Sequence, residues 1–253
     1  MLVVKGKQIG CGKPLVCVPI IETEKDAIVA EAERLQDLGI PMIEWRVDAF
    51  SECENVEAVE EVLRELSMRI YEPIVIFTFR TSAQGGQKTV TSEILEKLHL
   101  LGASSPIVDF VDVEYYALSS VKERIDKIHR AGSFVIGSHH DFLKTPDLEE
   151  LMNLLEGIRD SYVDIVKLAV MPKDAKDVLL LLQATEAFHS KHANIPVITM
   201  SMNGIGGISR VCGEFFGSCV TFGAGEKASA PGQLPMKQLD EILSVLHESM
   251  IKE

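Results

Sequence analysis

Eight short apolar runs recur along this chain at intervals of roughly 24–33 residues, and helical patterns fill the stretches between them. The runs are Leu15–Ile20, Met42–Asp48, Ile74–Arg80, Ile107–Glu114, Phe134–His140, Asp164–Val170, Pro196–Met202 and Val220–Ala224. Amphipathic stretches such as Thr23–Leu38, Val56–Ile70, Ser119–Ala131, Asp147–Asp160 and Ala175–Ser190 lie between them. Asp147 and Asp174 stand at helix N-cap positions with Pro146 and Pro172 just before them, and Gly39 and Gly132 stand where a helix ends. Strands that alternate with helices pair in parallel, and eight such units predict a (β/α)8 TIM barrel of the α/β class. A doubly wound sheet would need fewer strands or a break in the series. The opening Leu2–Ile9 segment, with Gly6-Lys7 at its middle, predicts an extra N-terminal β-hairpin. No linker, low-complexity tract or repeat interrupts residues 1–253, which are expected to form one barrel domain.

Bulk composition excludes more than it identifies. The net charge of −13 argues against a nucleic-acid or anionic-membrane surface. Five cysteines, Cys11, Cys17, Cys53, Cys212 and Cys219, form no CxxC pair, which fits neither a disulfide framework nor a zinc site and suits a reducing compartment. The first residues carry no long apolar region, and no apolar stretch nears the roughly 18 residues of a membrane span. A cytoplasmic protein is therefore expected.

Lys167 is the one charged side chain within Ile165-Val166-Lys167-Leu168-Ala169-Val170, otherwise a buried-strand pattern. Charged groups are rarely buried unless they are paired or functional. Desolvation disfavours an ammonium, so a buried lysine can present a neutral amine, which attacks carbonyls to form Schiff bases. The bland alternative is a strand-end cation reaching solvent or a carboxylate.

Side chains alternate across a strand, so parity selects which residues would face the barrel interior. Along Met42–Asp48, Glu44, Arg46 and Asp48 share one face, with Ile43, Trp45 and Val47 on the other. The same reading aligns Ile76, Thr78 and Arg80; Phe110, Asp112 and Glu114; Ser138 and His140; Ile165, Lys167 and Ala169; and Met200 and Met202. Several strands thus deliver titratable groups to one rim, the C-terminal end where TIM barrels carry their active sites. His140 beside a lumen lysine suits a general base, since histidine titrates near neutrality. Met200 and Met202 read as an apolar wall for a ligand. Arg210, after a glycine-rich loop, offers a planar cation for a carboxylate. The Phe222–Gln233 segment lacks the third glycine of a phosphate loop and reads instead as a lid over a small polar substrate.

With these residues in order, the chain resembles the type I 3-dehydroquinate dehydratases, Schiff-base enzymes of the shikimate pathway and aromatic amino acid biosynthesis. The resemblance is carried by Glu44-Trp45-Arg46-Val47-Asp48, Phe77-Thr78-Phe79-Arg80 with Gly85-Gly86, His140-Asp141-Phe142 with Thr145-Pro146, and Val166-Lys167-Leu168-Ala169. Met200-Ser201-Met202-Asn203 with Gly206 and Arg210, and Ser229-Ala230-Pro231-Gly232-Gln233, complete it. It implies that Lys167 forms an imine with the C3 ketone of 3-dehydroquinate. His140 would take a proton from C2 and return it to the departing C1 hydroxyl. Glu44, Arg46 and Arg80 would hold substrate hydroxyls and orient the base, and Arg210 would pair with the carboxylate. Ser229, Ala230 and Gln233 would close over the substrate, while Met202 and Phe222 pack on its ring. The resemblance implies no cofactor, no metal, no partner beyond the small-molecule substrate, and a homodimer.

One position departs from the family pattern. Gln84 stands where a glutamate is common; it can hydrogen-bond a hydroxyl but brings no negative charge. Glu44 and Asp112 are then the carboxylates expected near His140. Two other readings compete. A Schiff-base aldolase on the same fold would need a phosphate site, for which the Gly204–Gly207 loop could offer N–H groups. A barrel serving only as a binding or scaffold protein would have lost Lys167 or His140, and both are present.

Overall fold

The computed structural model describes residues 1–115 and 121–251. Strands β1 (Leu2–Val4) and β2 (Lys7–Ile9) pair antiparallel as the expected hairpin. Eight parallel strands follow: β3 (Leu15–Ile20), β4 (Met42–Arg46), β5 (Ile74–Thr78), β6 (Phe110–Glu114), β7 (Phe134–Asp141), β8 (Ile165–Val170), β9 (Val197–Ser201) and β10 (Val220–Phe222). Their order in the sheet is β10-β3-β4-β5-β6-β7-β8-β9. The seam between β9 and β10 is drawn together by a bridge between Val197 and Ser218 and by the Cys219 N–H, which donates to Val197 O at 2.9 Å. The result is a nearly closed (β/α)8 barrel.

Between the strands run α1 (Lys25–Asp37), α2 (Val56–Arg69), α3 (Ser92–Ser104), α4 (Val121–Ala131), α5 (Leu148–Arg159) and α6 (Ala175–Lys191). The short α7 (Gly207–Val211) and α8 (Gly213–Phe216) and the final α9 (Met236–Ile251) complete the ring. Capping explains several boundaries. Asp147 accepts the Glu150 N–H at 2.9 Å, and Asp174 accepts the Lys176 N–H at 2.8 Å, so both expected N-caps close their helices. Gly39 and Gly132 follow α1 and α4 with φ of +72° and +110°. The expected helix over Ser119–Ala131 starts at two serines outside the described residues.

Strand interiors match expectation and strand ends differ. The run Met42–Asp48 leaves the sheet at Arg46, and Asp48 lies in a one-turn 3-10 helix over Val47–Ala49. Ile74–Arg80 leaves it at Thr78, and the strand within Ile107–Glu114 starts at Phe110. Ladder pairing stops where the chain must turn toward its helix, even though apolar alternation continues into the loop.

Parity sorts the core into two layers. Outward-facing residues such as Val18, Ile43, Trp45, Phe77, Val111, Val166 and Leu168 pack with the helices. Inward-facing Cys17, Met42, Ile74, Ile76, Phe110, Ile136, Ile165 and Ile198 form a second apolar cluster inside the barrel. Val4 and Ile9 of the hairpin join that inner cluster, so the hairpin plugs the N-terminal end. Lys5 fastens it there, pairing with Asp109 at 2.8 Å and donating to Pro73 O at 2.8 Å. With one end filled by hydrocarbon, the polar inward residues collect at the other.

Candidate active site

At the C-terminal end of the barrel a cavity of about 120 Å³ is lined by Lys167, His140, Glu44, Arg46, Arg80 and Gln84 from β4, β7, β8 and the loop after β5. Met202, Arg210, Phe222, Ser229, Ala230 and Gln233 line it from the opposite side. Every residue assigned to the site from sequence therefore meets in one place. Gly85, Phe142, Ala169, Met200 and Pro231 line it as well. Met200 was expected from strand parity. Gly85, Phe142 and Pro231 lie in loops, where parity gives no signal.

Lys167 is buried, with Nζ 3.3 Å from Glu44 Oε1 and 3.3 Å from Asp112 Oδ2. Its ammonium also sits 4.3 Å from the centroid of the Phe222 ring. The lysine is therefore paired with carboxylates rather than isolated among the apolar neighbours that sequence suggested. A buried charge needs such partners to offset its lost hydration. Beneath it, the Cys17 thiol is pushed well above its usual range by burial and then by Glu44, with Lys167 opposing. That thiol stays protonated and unreactive.

Asp112 is the hub of the floor. Its Oδ1 accepts from Arg80 Nη2 at 2.8 Å and from Ser138 Oγ at 2.6 Å. Burial alone would raise its carboxyl, but the charges of Arg80 and Lys167 and the hydrogen bonds of Ser138 and Arg80 hold it below its ordinary value. Arg80 also donates to Glu114 at 3.0 Å and to Ser138 Oγ at 3.0 Å. Burial would weaken that guanidinium's hold on its proton, yet Asp112, Glu114 and Glu44 raise it. Glu44 accepts from Thr78 Oγ1 at 3.0 Å. Glu44 and Asp112, the carboxylates expected near His140, are both bonded to Lys167.

The partner of His140 is Gln84. The His140 backbone N–H donates to Gln84 Oε1 at 2.8 Å, and His140 Nδ1 lies 3.2 Å from the same oxygen. A backbone N–H can only donate, so the amide atom it meets is oxygen, and Nδ1 must then carry the ring hydrogen. The lone pair of the neutral ring is left on Nε2. Burial first, then the nearby cations Arg80, Lys167 and Arg46 and the neighbouring His139, hold the imidazole well below its usual 6.5. At neutral pH His140 is the free base.

Gln84 is carried by a loop folded hard against the end of β5. A side chain at Gly86 would place its Cβ 1.8 Å from Arg80 O, so only glycine allows that approach. Arg46 projects from β4 and is held by Asp48 through Nε at 2.9 Å and Nη2 at 2.8 Å. Arg210 on α7 is buried but unpaired with any carboxylate among the described residues. Its Nη2 donates to Pro231 O at 3.2 Å, Nη1 reaches Phe222 O at 3.5 Å, and Nε has no partner. Burial pulls this guanidinium down to about 10.

The lid expected over Phe222–Gln233 is a loop pinched at its base, where Ala224 N donates to Leu234 O at 2.8 Å and Met236 N to Ala224 O at 3.0 Å. Within it Gln233 Oε1 accepts the Ser229 N–H at 2.8 Å. The loop leans on the turn after β9, where Asn203 N donates to Pro231 O at 3.2 Å. In that turn the Gly204 and Gly206 N–H groups are already bonded to Asn203 Oδ1 at 2.7 Å and Asn203 O at 3.1 Å. Two of the N–H groups that a phosphate site would use are thus already engaged within the loop.

Comparison with known proteins points to a single family. The family model of type I 3-dehydroquinase matches residues 16–250. The chain is similar to the 3-dehydroquinate dehydratase of Clostridioides difficile strain 630, at 44% identity over 248 residues, covering 98% of this chain and 97% of the relative. It is similar also to that of Clostridium botulinum strain Eklund 17B, at 44% identity with 98% of each covered. Among solved structures, a type I 3-dehydroquinate dehydratase from Clostridium difficile with covalent modified comenic acid superposes with a TM-score of 0.94, at 43% identity over 98% of both chains. The 3-dehydroquinate dehydratase of Geobacillus kaustophilus HTA426 gives 0.93 at 33% identity, over 98% of this chain and 96% of that one.

Proposed function

The chain belongs to the type I 3-dehydroquinase family, hydro-lyases of aromatic biosynthesis, and from that membership we propose that it dehydrates 3-dehydroquinate through an imine on Lys167. The reading is carried by one observation: Lys167, the neutral His140 and the buried Arg210, whose Nε has no partner among the described residues, line a single pocket.

The Lys167 amine attacks the C3 ketone as the free base. Glu44, 3.3 Å from Nζ, takes the proton, because, against its burial, the charges of Arg80 and Lys167 hold down the proton affinity of Asp112. Loss of water from the adduct yields an iminium. A proton beside a simple ketone is too weakly acidic for histidine to remove quickly, and the iminium supplies the electron sink. His140 Nε2 removes the C2 proton; the C–H electrons form the C2–C3 double bond of an enamine, and the π electrons of the C–N double bond return to nitrogen. The enamine expels the C1 hydroxyl, to which His140 returns the proton, so water leaves and a conjugated iminium remains. Hydrolysis frees 3-dehydroshikimate and the amine. General base catalysis of this kind contributes roughly 10²–10⁴-fold.

Arg210 fits the substrate carboxylate, the charge its own surroundings lack, while Arg46, Arg80 and Gln84 meet the hydroxyls. Ser229, Ala230 and Gln233 close the lid, and Met202 and Phe222 form the apolar wall against the ring. Residues 1–253 act together as one barrel domain. The experiment is to add 3-dehydroquinate, follow the enone product by ultraviolet absorbance, then reduce with borohydride and map the adduct by mass spectrometry. A single adduct on Lys167 is expected. An adduct mapped to another residue, or turnover abolished by chelators, would sink the reading.

A further inference from the structure

We infer that Asp48, which does not line the pocket, is a positioning residue that sets both the Arg46 fork and the His140 base; the inference rests on the dehydratase reading above. Asp48 has no exposed surface and accepts four hydrogen bonds. Oδ1 takes Arg46 Nε at 2.9 Å and the Arg80 N–H at 3.2 Å, and Oδ2 takes Arg46 Nη2 at 2.8 Å and the Gln87 N–H at 3.0 Å. Four donors fill the capacity of a carboxylate. Burial would raise its proton affinity, but the hydrogen bond and charge of Arg46 and the two backbone N–H groups hold the group ionised.

What those donors belong to gives the residue its role. Arg46 lines the pocket, so its guanidinium plane is chosen by the bidentate grip of Asp48. Arg80 and Gln87 bracket the loop that carries Gln84. That loop is closed on itself by Gln84 N and Gly86 N, both donating to Thr81 O, and by Ser82 N donating to Lys88 O. Asp48 ties both ends of this loop to the turn that follows β4. The tip of the loop then meets His140, where Gln84 fixes the ring hydrogen on Nδ1. One buried carboxylate thereby sets a substrate-binding cation and the tautomer of the base.

An Asp48→Asn variant keeps the shape but turns one acceptor into a donor facing another donor. The test uses the full chain, with turnover normalised to the amount of Lys167 that borohydride traps at saturating 3-dehydroquinate. A purely structural defect lowers turnover and trapping together. We expect trapping on Lys167 to persist, kcat per trapped lysine to fall on the order of 10²-fold, and KM to rise as Arg46 loses its orientation. An Asp48→Asn protein with wild-type kcat per trapped lysine and wild-type KM overturns the inference. If that variant does not fold, Gln87→Pro removes one donor at an exposed position and leaves the carboxylate in place. Its kcat per trapped lysine should drop by about tenfold, and an unchanged value there overturns the inference equally. Absence of turnover or trapping in the wild-type protein instead counts against the dehydratase reading itself.

Discussion

His140 and Gln84 show how a single amide can decide the chemistry of a base. Where a glutamate would add a negative charge beside the imidazole, Gln84 adds only a hydrogen-bond acceptor, and the cations around His140 act unopposed by it. The free base should therefore survive below the ordinary histidine value, and the acid limb of kcat/KM should lie below pH 6.5. Placing a carboxylate at this position stabilises the imidazolium, so Gln84→Glu should fold, remain active and move that limb to higher pH. Parallel pH–rate profiles of the two proteins check this; coincident acid limbs would remove Gln84 from control of the base. Residue identity alone named both groups, but not their pairing. Sequence expected Glu44 and Asp112 near His140 but could not name Lys167 as their partner, because parity assigns a face and not a partner. The bonds to Lys167 arise from strand stagger, which brings β4, β6 and β8 to one level across the barrel.

Elements were readable wherever periodicity is a strong signal. All eight barrel strands follow from apolar runs, and the caps at Asp147 and Asp174 follow from local hydrogen-bond chemistry. Strand ends were not readable, since residues such as Asp48 and Arg80 keep the alternation after ladder pairing has stopped. The hairpin was visible as an element, but its purpose as the plug of the barrel was not. Ile9 is fully buried in the inner cluster. Ile9→Ala should therefore lower unfolding stability by about 2–5 kcal/mol, as expected for truncating a core aliphatic. Because the active end lies across the barrel from the plug, kcat should be retained. Urea denaturation beside steady-state kinetics tests both halves, and an unchanged midpoint would mean the hairpin packs only loosely.

The whole molecule should be sensitive to acid for a reason hidden from sequence. His99 on α3 is buried behind the barrel wall with both ring nitrogens unpartnered, and burial, then the charge of Arg124, pulls it down to about 3. The unfolded chain binds a proton there near 6.5 and the folded chain does not. Stability from this group is thus fully present above pH 6.5 and declines as pH falls toward 3, by on the order of 5 kcal/mol in all. His99→Leu should flatten the decline between pH 6.5 and 5 in denaturant titrations; an identical slope would show that other groups dominate. At this scale, sequence by itself determined the alternation of strands and helices, the barrel and the inward face of each strand. Those follow from periodicities of 2 and 3.6 that local geometry imposes on any buried apolar surface. It also named residues that line the pocket. Only the tertiary structure decided that Lys167 is paired, that His140 answers to an amide, that Arg210 meets no carboxylate among the described residues, and that Asp48 ties the Gln84 loop to Arg46. Such pairings depend on which side chains meet across the lumen at a given height, and closure of the barrel alone sets that.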